Sequence, residues 1–176
     1  APLDAPESSG LPSASGVFDV DLRGLIDVLG TNLYTSPAVY IRELLQNAID
    51  AQTVAGTGDQ PIAITVDGRE FSIDDAGIGM HAGQIADLLG TIGRSSKRDE
   101  LGFSDGGTIG QFGVGLLSGF LVGDRIEVES KAAGQPAASW LGDAAGTAGA
   151  GPGTRTETGT RVHIVARPGM ERWFAP

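Results

Sequence analysis

One stretch, Tyr40 to Gln52 with the sequence YIRELLQNAIDAQ, limits what this chain can fold into. Its composition is that of a helix, and apolar side chains cover most of its surface: Ile41, Leu44, Leu45, Ala48, Ile49 and Ala51. At about 100° per residue, Glu43, Asn47 and Asp50 fall within roughly 60° of one another. Because Asn and Asp are weak helix formers, their place in the middle of a helix needs a reason.

Two interpretations of this polar stripe are open from the stretch alone. The first is the solvated face of an amphipathic helix, although such faces are usually wider and mix basic with acidic residues. Here the nearby cation is Arg42, roughly 100° away around the helix. The second interpretation is a polar cavity lined by the stripe, with the rest of the helix buried.

Composition narrows the class of protein. A length of 176 residues and a hydrophobic content of 40% fit one globular domain with a sizeable core. The net charge of −10 argues against nucleic acid as the main partner, since phosphate backbones attract clustered Lys and Arg. The chain has no cysteine, which excludes disulfides and thiolate metal sites, and His81 and His163 lie too far apart in sequence to suggest zinc.

The chain also carries no sign of a membrane or export segment. No apolar run approaches the roughly 20 residues that a membrane span needs. No charged and then apolar signal segment opens the chain. We therefore expect a cytoplasmic protein without a membrane partner.

The first half of the chain contains clear element signals. Residues 1–16 are rich in Pro, Ser, Ala and Gly and predict a disordered tail, followed by a short strand in VFDVDL. Ser36 and Pro37 are a favourable helix start, and the helix should run to about Ala55, where glycines follow. Alternating apolar residues on both sides of Asp67-Gly68 predict a hairpin with that pair as its turn.

The second half predicts further helices and strands. We expect a short helix over 82–89, a mobile loop over 90–111, a buried helix in VGLLSGFLV, strands in RIEVESK, ASWL and GTRVHIVARP, and a loop over 142–158. This order predicts an α+β sandwich, with helices on one face of a mixed, largely antiparallel sheet. The domain would cover 17–167, and 168–176 would begin a further, truncated element.

Two glycine-containing clusters could hold a ligand. In DDAGIGM, Asp74 to Met80, the glycines allow close backbone approach to a flat ligand, and a carboxylate accepts from a donor such as an adenine amino group. In GTIGQFGVG, Gly107 to Gly115, glycines before a helix free backbone N–H groups for phosphate. The alternatives are a tight turn for the first cluster and a flexible linker for the second.

Taken together, the three clusters make a nucleotide site. An Asn on a helix can ligate Mg²⁺ beside phosphates, and a Glu one turn away can orient or deprotonate water. The pattern is neither of the common phosphate loops, because it has no Gly-Lys-Ser/Thr and no G-x-G-x-x-G between a strand and a helix. A P-loop NTPase and a Rossmann enzyme are therefore not expected.

The order of RELLQNAIDA, DDAGIGM, GTIGQFGVG and GTRVHI resembles the GHKL ATPase superfamily, named for gyrase, heat-shock chaperone, histidine kinase and MutL. Within it, NLYTSPAVYIRELLQNAIDA, LGTIGRSSK and IGQFGVGLLSGFLV are similar to the N-terminal ATPase domain of the heat shock protein 90 family. The likeness covers roughly Val17 to Arg167. It implies a Bergerat-type two-layer α/β sandwich that binds ATP or ADP with Mg²⁺.

The resemblance also implies residue roles. Glu43 would be the general base, Asn47 would ligate Mg²⁺, and Asp75 would accept a hydrogen bond from the adenine amino group. Thr160 would support the base through water. The base pocket would also include Asp50, Gly79 and Met80, and the phosphates would lie along Arg94, Gln111, Phe112, Gly113, Val114 and Gly115.

Further expectations follow from the family. Residues 91–112 would form a lid that closes over ATP and drives a chaperone cycle, with client proteins and a homodimer as partners. The chain departs from the family at Leu88, where an Asn is usual, and at Leu116, where a Phe is usual, so the pocket could differ in selectivity. An arginine that completes hydrolysis comes from the next domain in the family, so the isolated domain is expected to be weak or inactive.

Two other classes compete with this interpretation. One is an ATPase domain of a DNA protein of MutL or gyrase type, against which the net charge and the IGQFGVG stretch argue. The other is a nucleotide-binding regulator that does not hydrolyse, which would have no need of a base at Glu43.

Overall fold

Seven strands form one sheet in a computed structural model, which describes residues 14–17, 36–87, 115–145 and 147–174. The strands are β1 Ala14–Val17, β2 Ala63–Asp67, β3 Glu70–Asp75, β4 Gly123–Lys131, β5 Ala138–Asp143, β6 Thr147–Pro152 and β7 Gly159–Ala166. Their order across the sheet is β1-β6-β5-β4-β7-β3-β2, and every one of these pairings is antiparallel. The predicted α+β class is confirmed.

Helix α1, Val39–Ala55, packs on one face of this sheet. Its buried residues recur every fourth position, as Tyr40, Leu44, Ala48 and Gln52. The ring of Tyr40 meets that of Phe71 on β3 nearly edge-on, with 5.3 Å between centroids. Burial raises the pKa of Tyr40 to about 12, and its hydroxyl donates to the carbonyl of Trp173 at 2.8 Å.

The C-terminal end of α1 follows the sequence signal, whereas its first helical residue lies two positions later than the predicted Pro37. Ser36 accepts from the N–H of Ala38 with its hydroxyl and from the N–H of Val39 with its carbonyl, each at 3.2 Å. These bonds form a turn before the first helical residue, so the regular helix begins two residues after Pro37. At the other end, Gly56 adopts a left-handed conformation with φ of 72°, which glycine adopts at little cost.

The remaining helical segments are short. Residues 82–87 are helical, residues 115–117 begin a helical turn that continues as a 3₁₀ helix over Ser118–Leu121, and a second 3₁₀ turn covers Glu171–Trp173. Residues 115–122 are buried throughout, as predicted for VGLLSGFLV. Across the part of the chain that is described, no helix has the length and apolar character to cross a bilayer.

The β2–β3 hairpin forms, but its turn lies one residue later than predicted. Asp67 pairs with Glu70, so the two turn residues are Gly68 and Arg69 rather than Asp67 and Gly68. Only Gly68 has a positive φ, of 58°. A turn with positive φ at its first position alone suits Gly followed by a larger residue, whereas the predicted pairing would place Asp there.

The loop predicted over 142–158 was wrong, because β6 lies within it. β6 pairs with β5 from Ala138 opposite Pro152 to Gly142 opposite Ala148, and with β1 on its other side. β1 in turn begins at Ala14, inside the segment predicted as a tail. Gly- and Ala-rich stretches carry little side-chain preference for strands, so the pairing arises from backbone hydrogen bonds to neighbouring strands.

Candidate functional site

A row of three residues crosses the central strands at one end of the sheet. Asp75, the last residue of β3, lies opposite Thr160 on β7, and Thr160 lies opposite Ser130 on β4. All three are buried on the face that packs against the helices. The row brings together two residues that the sequence predicted for the base pocket, Asp75 and Thr160, from positions far apart in the chain.

The two carboxylate oxygens of Asp75 differ in their surroundings. Oδ1 accepts from the backbone N–H of Gly77 at 2.8 Å and from that of Thr160 at 3.2 Å. No described residue donates to Oδ2. The side chain is therefore fixed in orientation by Oδ1, while Oδ2 remains available as an acceptor for a ligand.

Opposing influences act on the charge of Asp75. Burial raises its pKa, because a carboxylate loses hydration when only 8% of the residue is exposed. The hydrogen bonds from Gly77 and Thr160 and the charge of Arg155 lower the pKa, and nearby Asp74 raises it. Burial prevails, so the pKa of Asp75 lies above the ordinary value.

Ser130 is a site residue that the sequence reading missed. Its hydroxyl lies 2.7 Å from that of Thr160, donates to the carbonyl of Gly159 at 3.1 Å and accepts from the N–H of Met80 at 2.8 Å. It therefore connects the row to the DDAGIGM loop. The available signal was the alternation in RIEVESK, which puts Ser130 on the same face as Ile126 and Val128.

The glycines of DDAGIGM allow close packing of this loop against its neighbours. A Cβ on Gly77 would lie 2.5 Å from that of Ala51 on α1, and one on Gly79 would lie 1.9 Å from the carbonyl oxygen of Lys131. Gly79 also has a positive φ of 68°. The N–H of Ile78 donates to the carbonyl of Ala51 at 3.1 Å, so this loop is seated directly against α1.

Glu43 and Asn47 lie beside Gly115, the last residue of the GTIGQFGVG cluster. A Cβ on Gly115 would meet Asn47 Nδ2 at 3.1 Å and Glu43 Oε2 at 3.6 Å, so the absence of a side chain keeps this space open. Asn47 Nδ2 is buried without a hydrogen-bond partner among the described residues. Asn47 is also one helical turn before Ala51, against which the DDAGIGM loop packs, so both groups of residues lie along one side of α1.

The remaining predicted site residues are exposed, lie in the core or fall outside the described residues. Asp50 is exposed, and its Oδ1 accepts from Gln46 Nε2 at 2.8 Å, whereas Glu43 and Asn47 are half-buried. Leu116 is part of the hydrophobic core. The lid over 91–112 and the predicted residues Leu88, Arg94, Gln111, Phe112, Gly113 and Val114 lie outside the described residues.

The chain matches a known family of ATPase domains. A family model described as "Histidine kinase-, DNA gyrase B-, and HSP90-like ATPase" matches residues 34–142, which is more than half of the chain. The chain belongs to this family of ATPase domains. The matched region contains α1, the DDAGIGM loop and the GTIGQFGVG cluster.

Within that family, the chain is similar to bacterial proteins named chaperone protein HtpG. It is 35% identical over 170 residues to that of Roseobacter denitrificans, covering 84% of this chain and 27% of the relative. It is 37% identical over 182 residues to that of Nitrobacter hamburgensis, covering 85% and 28%, and 34% identical over 170 residues to that of Psychrobacter cryohalolentis, covering 84% and 26%. The resemblance to the heat shock protein 90 branch is confirmed, and the chain spans about a quarter of the length of these relatives.

Proposed function

We propose that this chain is the ATP-binding and ATP-hydrolysing domain of a heat shock protein 90-type chaperone. The observation that carries the proposal is the buried Asp75 carboxylate, with Oδ1 held by two backbone N–H groups and no described donor on Oδ2. An exocyclic amino group of adenine is a donor that suits such an acceptor. Thr160, on the neighbouring strand, would support the base through a bridging water.

The phosphates would lie toward Glu43 and Asn47, on the open side of Gly115. Asn47 fits a role as ligand to Mg²⁺, because its amide oxygen is the kind of ligand that Mg²⁺ takes and its buried Nδ2 has no hydrogen-bond partner among the described residues. When bound, Mg²⁺ would offset the charge of the phosphate oxygens. Gly115 leaves room beside both side chains for the phosphate group.

Glu43 would act as the general base of hydrolysis. Its side chain is 29% exposed, and Oε1 accepts from Arg42 at 3.1 Å, which leaves Oε2 beside Gly115 to accept a proton from water. The resulting hydroxide would then attack the terminal phosphorus of ATP. The bond from that phosphorus to its bridging oxygen would break, and ADP would leave. This role favours a hydrolysing domain over a regulator that only binds nucleotide.

The broader biological role rests on the relatives. All three relatives described above are named chaperone proteins, which favours the heat shock protein 90 branch over a MutL- or gyrase-type DNA protein. A lid over 91–112, a homodimer, client proteins and a cytoplasmic location are part of this proposal. Because the chain covers about a quarter of those proteins, the homodimer and the binding of client proteins would involve a longer protein.

Calorimetric titration with ADP tests the proposal. We expect saturable heat in the presence of Mg²⁺, and weaker binding when EDTA removes the metal, because the diphosphate would then lose its counter-charge beside Asn47. An absence of heat and of any thermal shift at millimolar ADP would contradict a nucleotide site. Equal affinity with and without EDTA would contradict the metal assignment alone.

A further inference from the structure

The peptide group between Asp75 and Ala76 is bound at both ends by side chains. Its N–H, which belongs to Ala76, donates to Gln52 Oε1 at 3.1 Å. Its carbonyl, which belongs to Asp75, accepts from Arg155 Nη2 at 3.0 Å. The two side chains come from α1 and from the segment between β6 and β7, which are distant in sequence.

Gln52 uses its whole amide group. Its Nε2 donates to the carbonyls of Thr57 and Gln60, each at 2.9 Å, while Oε1 accepts from Ala76. Two carbonyls require the NH₂ and one N–H requires the oxygen, so these partners fix which way the amide points. Only 2% of the residue is exposed, so these bonds are shielded from water.

A residue that follows α1 also binds the carbonyl of Ala76. Thr57 Oγ1 donates to the carbonyl of Ala76 at 2.7 Å, and the N–H of Thr57 donates to the carbonyl of Gln52 at 2.9 Å. The end of α1 and the residues after it thus form one hydrogen-bonded unit with the start of the DDAGIGM loop. Displacement of Gln52 would disturb that unit next to the Asp75 carboxylate.

Arg155 is held as firmly on the other side. Its Nη1 lies 2.9 Å from Asp74 Oδ1, its Nε donates to the carbonyl of Glu157 at 2.8 Å, and Nη2 takes the Asp75 carbonyl. The backbone N–H of Arg155 donates to Glu129 at 2.7 Å. With its side chain 12% exposed, the guanidinium has three acceptors in a fixed arrangement.

We propose that Gln52 and Arg155 are positioning residues for recognition of the base, acting together as a clamp on the Asp75–Ala76 peptide. The inference rests on the proposed function, in which Asp75 Oδ2 accepts from the nucleotide. A carboxylate must hold its acceptor within a few tenths of an ångström to match a rigid ring, and its backbone sets that position. The clamp fixes the backbone at the residue that carries the carboxylate.

Three substitutions separate this role from general support of the fold. Gln52→Met and Arg155→Met remove the two ends of the clamp while keeping much of the side-chain volume. Arg161→Met is the control, because Arg161 binds Asp74 Oδ2 through two nitrogens at 2.6 and 2.8 Å, but makes no hydrogen bond to the Asp75–Ala76 peptide. Each variant is titrated with ADP and Mg²⁺ well below its own melting temperature.

We expect a loss of ADP affinity of roughly ten-fold or more for each clamp variant. The loss for Arg161→Met should stay below about two-fold, as is usual for an exposed ion pair. Wild-type affinity in both clamp variants would overturn the inference while leaving the nucleotide site in place, and so would an equal loss in Arg161→Met. If wild-type protein bound no ADP, the proposed function itself would fall.

The pH profile of ADP binding is a readout that a purely structural role would not move. Arg155 and Asp74 are the charged groups that act on Asp75, and Arg155 lowers the pKa of its carboxyl. A proton on Oδ2 would replace an acceptor by a donor, so binding weakens as Asp75 protonates. The acid limb should therefore lie at higher pH in Arg155→Met than in wild type.

Arg161→Met should leave that limb within experimental error of wild type. If Gln52→Met fails to fold, Arg155→Lys provides the second test, because Lys keeps the charge but cannot reach all three acceptors at once. Weaker ADP binding with an unmoved acid limb is expected for Arg155→Lys. An unmoved limb in Arg155→Met, or unchanged affinity in Arg155→Lys, would overturn the role of Arg155 in the clamp.

Discussion

At the scale of single residues, two adjacent aspartates have different tasks because strand side chains alternate between faces. Asp74 points to the outer face of the sheet, where it pairs with Arg155 and Arg161. Asp75 points to the inner face, where it is 8% exposed and receives backbone N–H groups instead of a salt bridge. A shift of one residue in register would exchange the two roles.

Asp75→Asn should separate binding from stability. The NH₂ of Asn would face the amino group of the base, so ADP affinity should fall at least ten-fold, or by about 1.4 kcal/mol or more. The Asn oxygen can still accept from the N–H groups of Gly77 and Thr160, so the melting temperature at pH 7 should equal or exceed that of wild type. Calorimetry with ADP and thermal melts of both proteins measure the two effects.

The pH dependence of that comparison has a definite sign. Burial raises the pKa of Asp75 in the folded protein above its ordinary value of 3.8, so ionisation of this carboxyl opposes folding. Its stabilising contribution is fully present below about pH 3.8 and is lost as the pH rises through the folded-state pKa. As the pH falls from 7, the stability of wild type should therefore rise relative to that of Asp75→Asn. Asp75→Asn could instead be less stable than wild type at pH 7, with a difference that shrinks as the pH falls. That result would contradict the raised pKa.

At the scale of elements, the DDAGIGM loop depends on a close approach to β4. An Ala at Gly79 would put its Cβ 1.9 Å from the Lys131 carbonyl oxygen, at a φ of 68°. Gly79→Ala should therefore destabilise the protein by about 2–5 kcal/mol.

Gly134 provides the matched control for this close approach. It has nearly the same φ, of 70°, but no atom lies within 4 Å of an added Cβ. Gly134→Ala should therefore cost only the backbone strain, about 1–2 kcal/mol. Denaturant unfolding of the two variants measures the difference. Equal losses would mean that the loop does not require the contact with Lys131.

The elements that the sequence predicted are those with local signals. Helix α1 has apolar spacing, a Ser-Pro start and a Gly end, and the hairpin has alternation around a glycine turn. β6 lacked such signals, since its six residues, TAGAGP, form a strand only through pairing with β5 and β1. Tertiary pairing of this kind is not encoded in the propensity of the segment itself.

The residues of the candidate site divide in the same way, into those with a local sequence signal and those without one. Glu43, Asn47, Asp75 and Thr160 were predicted because they stand in motifs that resemble a known family. Gln52, Ser130 and Arg155 were not, although each holds the Asp75 region through hydrogen bonds. The bonds that hold this region join residues 24 to 80 positions apart in sequence, so no local pattern could reveal them.

At the scale of the whole molecule, binding and turnover should have different requirements. The chain spans about a quarter of its HtpG relatives, so we expect efficient hydrolysis only in a longer protein that contains it. In such a protein, Glu43→Ala should keep ATP affinity within a few-fold and lose nearly all turnover, because the base acts on water in the transition state. Steady-state hydrolysis and equilibrium binding measure the two quantities.

Arg42→Ala is the control for that experiment. Arg42 donates to Glu43 but its side chain is 76% exposed, so its removal leaves the carboxylate in place. Turnover in Arg42→Ala should remain within about three-fold of wild type, since exposed ion pairs contribute little. Unchanged turnover in Glu43→Ala would show that another group activates the water.

The central claim is that the end of β3 binds the base of a nucleotide. A crystal structure of this chain with ADP and Mg²⁺ tests it most directly. We expect the adenine amino group within about 3.2 Å of Asp75 Oδ2, with the phosphates extending toward Asn47 and Gly115. An adenine ring bound elsewhere, with Asp75 Oδ2 contacting only water, would show that the end of β3 does not bind the base.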